Sequence, residues 1–224
     1  WSQGFMVKPM RVEVSPAAGR LVDIPIEIQN TAGDGPRAID LRFVELSQTS
    51  EGTWQIAEPG AGEAARAEHS SLGWSSITSS SIVIDPMAAT TFNVTMNVPP
   101  EARGSYFAGL IAETPLPPDT RGIVVRVRFL IPLIVEISGR PVRQQVKLAD
   151  TRLTRIDPAG LAMGSTRASL LVTNEGRTFS RVKGRITVET RYGEQWRVVT
   201  RFDLPERSII PGVTLDLGND LERR

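Results

Sequence analysis

Hydrophobic and polar positions alternate with period two along most of the chain. Between Leu21 and Asn30, the side chains of Ile24, Ile26 and Ile28 share one face, and Asp23, Glu27 and Gln29 share the other. Phe92, Val94, Met96 and Val98 alternate strictly with Thr91, Asn93, Thr95 and Asn97. Such patterns predict half-buried β-strands. Less regular runs of the same kind occupy Phe5 to Val14, Ile39 to Phe43, Gly52 to Ile56, Trp74 to Ile84 and Tyr106 to Glu113. Turn residues separate them: Pro16 with Gly19, the loop Asn30 to Pro36, Asp85-Pro86, Pro99 to Gly104 and Pro115 to Pro118. Glu58 to Ser71, rich in Pro, Gly, Ala and Glu, has no period. It reads as a mobile loop or a single short helical turn. No long helical period occurs anywhere.

The most apolar run is Arg121 to Ile137. Through Phe129 it alternates, with Ile123, Val125, Val127 and Phe129 on one face and Arg126 and Arg128 on the other. From Leu130 both faces are apolar, as in a strand covered on both sides. Pro132 cannot donate a ladder hydrogen bond and predicts an edge position or a bulge. The stretch reads as the last strand of one sandwich, and the polar connector Ser138 to Gln145 leads into a second.

The second half predicts five strands: Val146 to Ile156, Ala168 to Thr173, Val182 to Val188, Trp196 to Phe202, and Val213 to Leu217. A weak internal repeat links the halves. Ile26-Glu-Ile-Gln-Asn30, a glycine turn, a strand and Gly52-Thr-Trp54 echo Leu170-Leu-Val-Thr-Asn174, a glycine turn, a strand and Gly193-Glu-Gln-Trp196. The expected fold is therefore all-β, with two immunoglobulin-like β-sandwich domains in tandem at residues 1–138 and 139–224. Five strands are too few to close the second sandwich. Either the chain is a fragment or one edge of that domain is open and needs a cover.

Composition narrows the function. The 224 residues suffice for two sandwiches of about 100 residues each. The formal net charge of +1 offers no strong field toward nucleic acid or membrane. Most of the cationic residues are arginine, with lysine only at Lys8, Lys147 and Lys183. The absence of cysteine excludes disulfides and thiolate metal centres. The longest purely apolar run, Phe129 to Val135, is far short of the ~20 residues of a spanning helix. The chain begins at Trp1 rather than Met, which suggests processing, removal of a secretion signal, or a fragment. His69 is the only histidine and lies in the irregular segment beside Ser70 and Ser71. Adjacency in sequence is not triad geometry, and one histidine does not make a metal site. No phosphate loop or calcium-loop pattern is present. The reading is non-enzymatic, with no cofactor and no metal.

Four passages together resemble the PapD-like superfamily of periplasmic pilus-assembly chaperones. They are Pro9-Met-Arg-Val-Glu-Val14, Ile82-Val-Ile-Asp-Pro86 through Val94 to Pro100, Gly104 to Pro115, and the Arg121 to Ile137 stretch. The resemblance covers roughly residues 5 to 137; the second domain is only generically immunoglobulin-like. It implies a chaperone that adds a strand to the incomplete sandwich of a pilin-like subunit, while two basic cleft residues anchor the subunit's C-terminal carboxylate. By position Arg11 matches the first of these residues. Arg128 matches the second, where the family usually carries lysine; arginine grips a carboxylate bidentately. Ile123, Val125 and Val127 match the apolar donors. The implied role is a protein-binding module in the bacterial periplasm or extracellular envelope, with no nucleic-acid partner. The alternative is a structural subunit of an envelope or surface assembly, docked through the open edge of the second domain.

Overall fold

The computed structural model describes residues 4–58, 67–116, 126–140, 142–156 and 165–221. Two compact units divide the chain. The first holds residues 1–47 and 54–142, and the second holds residues 48–53 and 143–224.

In the first unit the strands are β1 (Phe5–Lys8), β2 (Val12–Val14), β3 (Leu21–Asn30), β4 (Arg37–Val44), β5 (Leu46–Gln48, whose last residue is counted with the second unit), β6 (Trp54–Ile56), β7 (Ser75–Ile77), β8 (Ser81–Ile84), β9 (Ala89–Asn97), β10 (Ser105–Glu113) and β11 (Arg128–Glu136). Two sheets face each other, one ordered β1-β3-β9-β7 and the other β2-β11-β10-β4-β8. The alternating positions meet between them. Ile24, Ile26, Ile28, Val94 and Met96 from one sheet pack on Ile39, Leu41, Leu110, Ile131, Leu133 and Val135 from the other. Several of these, including Ile26, Ile28, Met96 and Leu133, are wholly buried.

Two of the expected strands are each split in two. Phe5 to Val14 pairs first with β3, as Val7↔Ile28, and then with β11, as Val12↔Leu133. The break falls at residues 9–11, where Pro9 has no N–H to keep the ladder going. Trp74 to Ile84 likewise yields β7, paired with β9, and β8, paired with β4. Period two survives such a change of sheet, so the alternation alone does not reveal it.

Strand β10 is buried at all nine positions. Its inward residues Ala108, Leu110 and Ala112 join the core. Its outward face is covered as well. Trp54 of β6 lies 6.3 Å, ring to ring, from Phe107. A Cβ on Gly109 would stand within 3.0 Å of the Leu130, Val44 and Leu46 side chains, which would have to shift to admit it. The end of the irregular segment also docks here. Ser71 N donates to Phe107 O and Phe107 N donates to His69 O, so residues 69–71 flank β10 where β4 no longer does. His69 is buried and its Nδ1 donates to Ser105 O at 3.0 Å. Residues 59–66 of that segment lie outside the described residues.

In the second unit the strands are β12 (Val146–Ile156), β13 (Ser165–Asn174), β14 (Ser180–Tyr192), β15 (Gln195–Ile209) and β16 (Thr214–Leu221). They form a three-stranded sheet, β12-β13-β16, and a two-stranded sheet, β14-β15. Ala168, Ile186, Leu204, Ile209, Leu215 and Leu217 make the core. The five expected strands are therefore present, and the chain is all-β with tandem sandwiches. Gln48 belongs to this unit: its Nε2 donates to Ser208 O and its Oε1 accepts from Ile210 N. The turn between β14 and β15 is the two-residue Gly193-Glu194, with Gly193 at φ 62°.

Candidate partner-binding site

The open side of β11 is the feature around which the site is built. Along its whole length β11 pairs with β10, from Glu113↔Arg128 to Ser105↔Glu136. On its other side β2 pairs only with Leu133, Ile134 and Val135. Among the described residues nothing pairs with that side from Arg128 to Pro132. Pro132 stands in register opposite Gly109, with no shift in the ladder. Its missing N–H is tolerated because the strand is an edge there. The hairpin continues past the strand, since Thr114 N donates to Val127 O at 3.2 Å.

The alternation along the stretch holds where it is described. Val127 and Phe129 pack against the core of the first unit, and the Phe129 ring meets Phe5 edge-on at 4.9 Å. Arg126 and Arg128 point to the opposite face. There they meet Glu113, the last residue of β10, whose side chain is only 6% exposed. Arg128 Nε donates to Glu113 Oε2 at 2.5 Å, Arg126 Nη2 lies 3.0 Å from Oε1, and Arg42 Nε of β4 donates to Oε1 at 3.3 Å. Arg126 Nε also donates to Thr114 O at 2.8 Å. Burial by itself would raise the Glu113 carboxyl. The hydrogen bonds from Arg128 and Arg42 and the charges of Arg128 and Arg126 outweigh it and hold the group below the ordinary glutamate range.

The residues expected from sequence are thus distributed as follows. Arg128 opens β11 and is engaged by Glu113. Val127 faces the core side. Ile123 and Val125 lie outside the described residues. Arg11 sits just before β2, ion-paired with Glu13 and with its guanidinium 5.9 Å from the centre of the Trp54 ring. The register does not set the two arginines side by side. Val12 aligns with Leu133, so one step back sets Arg11 beside Pro132, whereas Arg128 stands four residues further up β11, about 13 Å at a strand's rise.

Sequence reasoning did not bring Glu113 or Arg42 to this place. The available signal was a lone acid ending an apolar strand, Tyr106 to Glu113, and an Arg-Val-Arg at 126–128. Joining them requires the hairpin register, which the proline-rich connection between them conceals.

No family model matches the sequence, and no curated protein matches it. Solved structures do. One comes from a chaperone–tip adhesin complex vital for synergistic activation of CFA/I fimbriae biogenesis; it aligns over 95% of this chain and 84% of its own, with a TM-score of 0.50 and 10% identity. Another is the class 5 fimbriae chaperone CfaA, over 95% of this chain and 85% of its own, with a TM-score of 0.50 and 11% identity. The fold is similar to that of these two structures, and in this chain it is two all-β sandwiches in tandem. No helix among the described residues is long and apolar enough to cross a membrane.

Proposed function

We propose that this chain binds a protein partner in the bacterial envelope by β-strand addition, as a non-enzymatic chaperone of a pilin-like subunit. The observation that carries the reading is the half-covered strand β11, apolar toward the core and unpaired on one side from Arg128 to Pro132 among the described residues. Such an edge supplies main-chain hydrogen bonds to an incoming strand, while alternate side chains fill its incomplete core. The similarity in fold to fimbrial chaperones supports it. The candidate donors are Ile123, Val125 and Val127. Arg11 and Arg128 are the candidate anchors for a partner carboxylate, and their separation along β11 means that each acts on its own. A periplasmic or extracellular location follows from the same reading.

The test is co-expression with candidate subunits in the periplasm. Arg11→Ala and Val127→Asp each weaken capture by at least about tenfold if the edge is the binding site. Full capture by both variants overturns the reading.

A second reading, as a structural subunit of an envelope assembly, draws on the second unit. A groove of about 470 Å³ opens between β12–β13 and β14, lined by Leu153, Leu170, Ile186 and Val188. Tyr192, Trp196 and Val199 are exposed on the β14–β15 hairpin. Under this reading Trp196→Ser blocks a fixed-stoichiometry assembly and leaves subunit capture at β11 intact.

A further inference from the structure

The arginine cluster on the outward face of the first unit does more than neutralise a buried acid. Glu113 carries one negative charge and is met by three guanidiniums. Among the described residues this leaves an excess of two positive charges in the ion-paired cluster, one if the neighbouring Asp40 is counted. Asp40 of β4 stands directly opposite Glu113 in the ladder, and among the described residues it enters no ion pair with these arginines. Each guanidinium has five N–H donors in a fixed fork. Among the described residues Arg42 and Arg128 bond Glu113 through Nε alone, and their side chains are 48% and 43% exposed. Arg126 uses Nε on Thr114 O and one terminal nitrogen on Glu113. Glu113 therefore holds three guanidiniums together, and among the described residues most of their N–H donors are left uncommitted and able to take a second oxyanion.

The location supplies the source of that oxyanion. Arg126 and Arg128 are two residues apart and share the outward face of the hairpin, beside the unpaired side of β11. A strand added there brings its own outward side chains within about 5 Å, Cβ to Cβ, of these two arginines. Resting on the strand-addition reading above, we propose that Arg126 and Arg128, with Arg42 behind them, form a carboxylate site that selects partner strands carrying an Asp or Glu on the outward face opposite them. The apolar face of the added strand fills a core; this site reads the other face and sets the register. Glu113 is a positioning residue, since it touches the arginines and not the partner.

The experiment uses the full chain and synthetic peptides of alternating valine and threonine. One glutamate is scanned through the threonine positions, and each peptide has a glutamine twin. Binding is read by fluorescence anisotropy at low and high salt. At one position the glutamate peptide binds on the order of tenfold tighter than its twin. That preference shrinks with salt and vanishes in an Arg126→Ala, Arg128→Ala double variant. Arg42→Gln, on a different strand, reduces it and serves if the double variant is unfolded by circular dichroism. Equal binding of every glutamate and glutamine pair overturns the carboxylate site and leaves strand addition standing. A preference that survives both variants overturns the arginine assignment. No binding by any peptide overturns strand addition, and the proposal with it.

Discussion

Asn30 and Asn174 hold the same place in the two sandwiches. Each ends a strand, each is wholly buried, and each accepts a hydrogen bond at Oδ1 from the backbone N–H two residues on, Ala32 in one and Gly176 in the other. Each donates from Nδ2 to a carbonyl four or five residues on, Gly35 or Thr178, and to one from a distant strand, Ile84 or Ile209. One amide side chain thus closes its own turn and ties it to a second strand.

Replacing either asparagine by alanine removes three or more hydrogen bonds and strands buried carbonyls. The expected cost is about 2–4 kcal/mol. Hydrogen exchange read peptide by peptide localises it: Asn30→Ala loosens the first unit and Asn174→Ala the second. A loss below about 0.5 kcal/mol, within the range of ordinary surface changes, would show that water replaces the amide.

Glu113 gives stability a pH dependence of defined sign. Its unfolded value is near 4.5 and its folded value is lower. Above the unfolded value both states are ionised and the cluster contributes in full. As pH falls below it, the unfolded chain takes up the proton first, and the contribution drains away until the folded carboxyl is protonated too. Glu113→Gln is expected to lose about 1.5–3 kcal/mol at neutral pH and to converge on the wild type in acid. Denaturant melts of both proteins across that range make the comparison. Parallel curves at all pH values would remove Glu113 from the account.

Among the described residues, two glycines stand where an added Cβ would come closer than 3.0 Å to a neighbour. At Gly109 a methyl group meets Leu130, Val44 and Leu46 at 2.8–3.0 Å, all of them movable side chains. Gly109→Ala should cost about 1–3 kcal/mol. At Gly218 the nearest atoms are Ala168 O and Ser169 Cβ, both at 2.7 Å, and the backbone of β13 must shift. Gly218→Ala is expected to cost more than Gly109→Ala, and thermal melting of the two variants decides the order.

Met87 is the one non-glycine residue at positive φ, 58°, among the described residues, and its side chain is exposed. It follows Pro86 in the turn between β8 and β9. An L side chain without local hydrogen bonding pays about 1 kcal/mol in that region, and asparagine pays less. Met87→Asn should therefore raise the melting temperature by a few degrees; a fall would mean that the methionine makes contacts worth more than the strain.

Much of this architecture could be read before any coordinates. The alternation of Ile24, Ile26 and Ile28 and of Val94 and Met96 specified which side chains enter the core, because a strand's period is two and one sheet face is dry. The echo of Asn30 in Asn174 announced two related units, and both residues do the same work. The companion echo did not carry over: Trp54 packs near Phe107, while Trp196 is 65% exposed. The face of Arg126 and Arg128 was legible for the same reason as the core. What the arginines meet there was not. Glu113 of β10 meets Arg42 of β4, Arg128 of β11 and Arg126 just before β11, and such a meeting depends on strand order and hairpin register rather than on local pattern. The switches of sheet at residues 9–11 and between β7 and β8, and the docking of His69 beside Ser105, belong to the same class. Local periodicity is set by the geometry of one strand and survives in sequence. Adjacency between strands is set by packing two sheets around a shared core, and only the folded chain shows it.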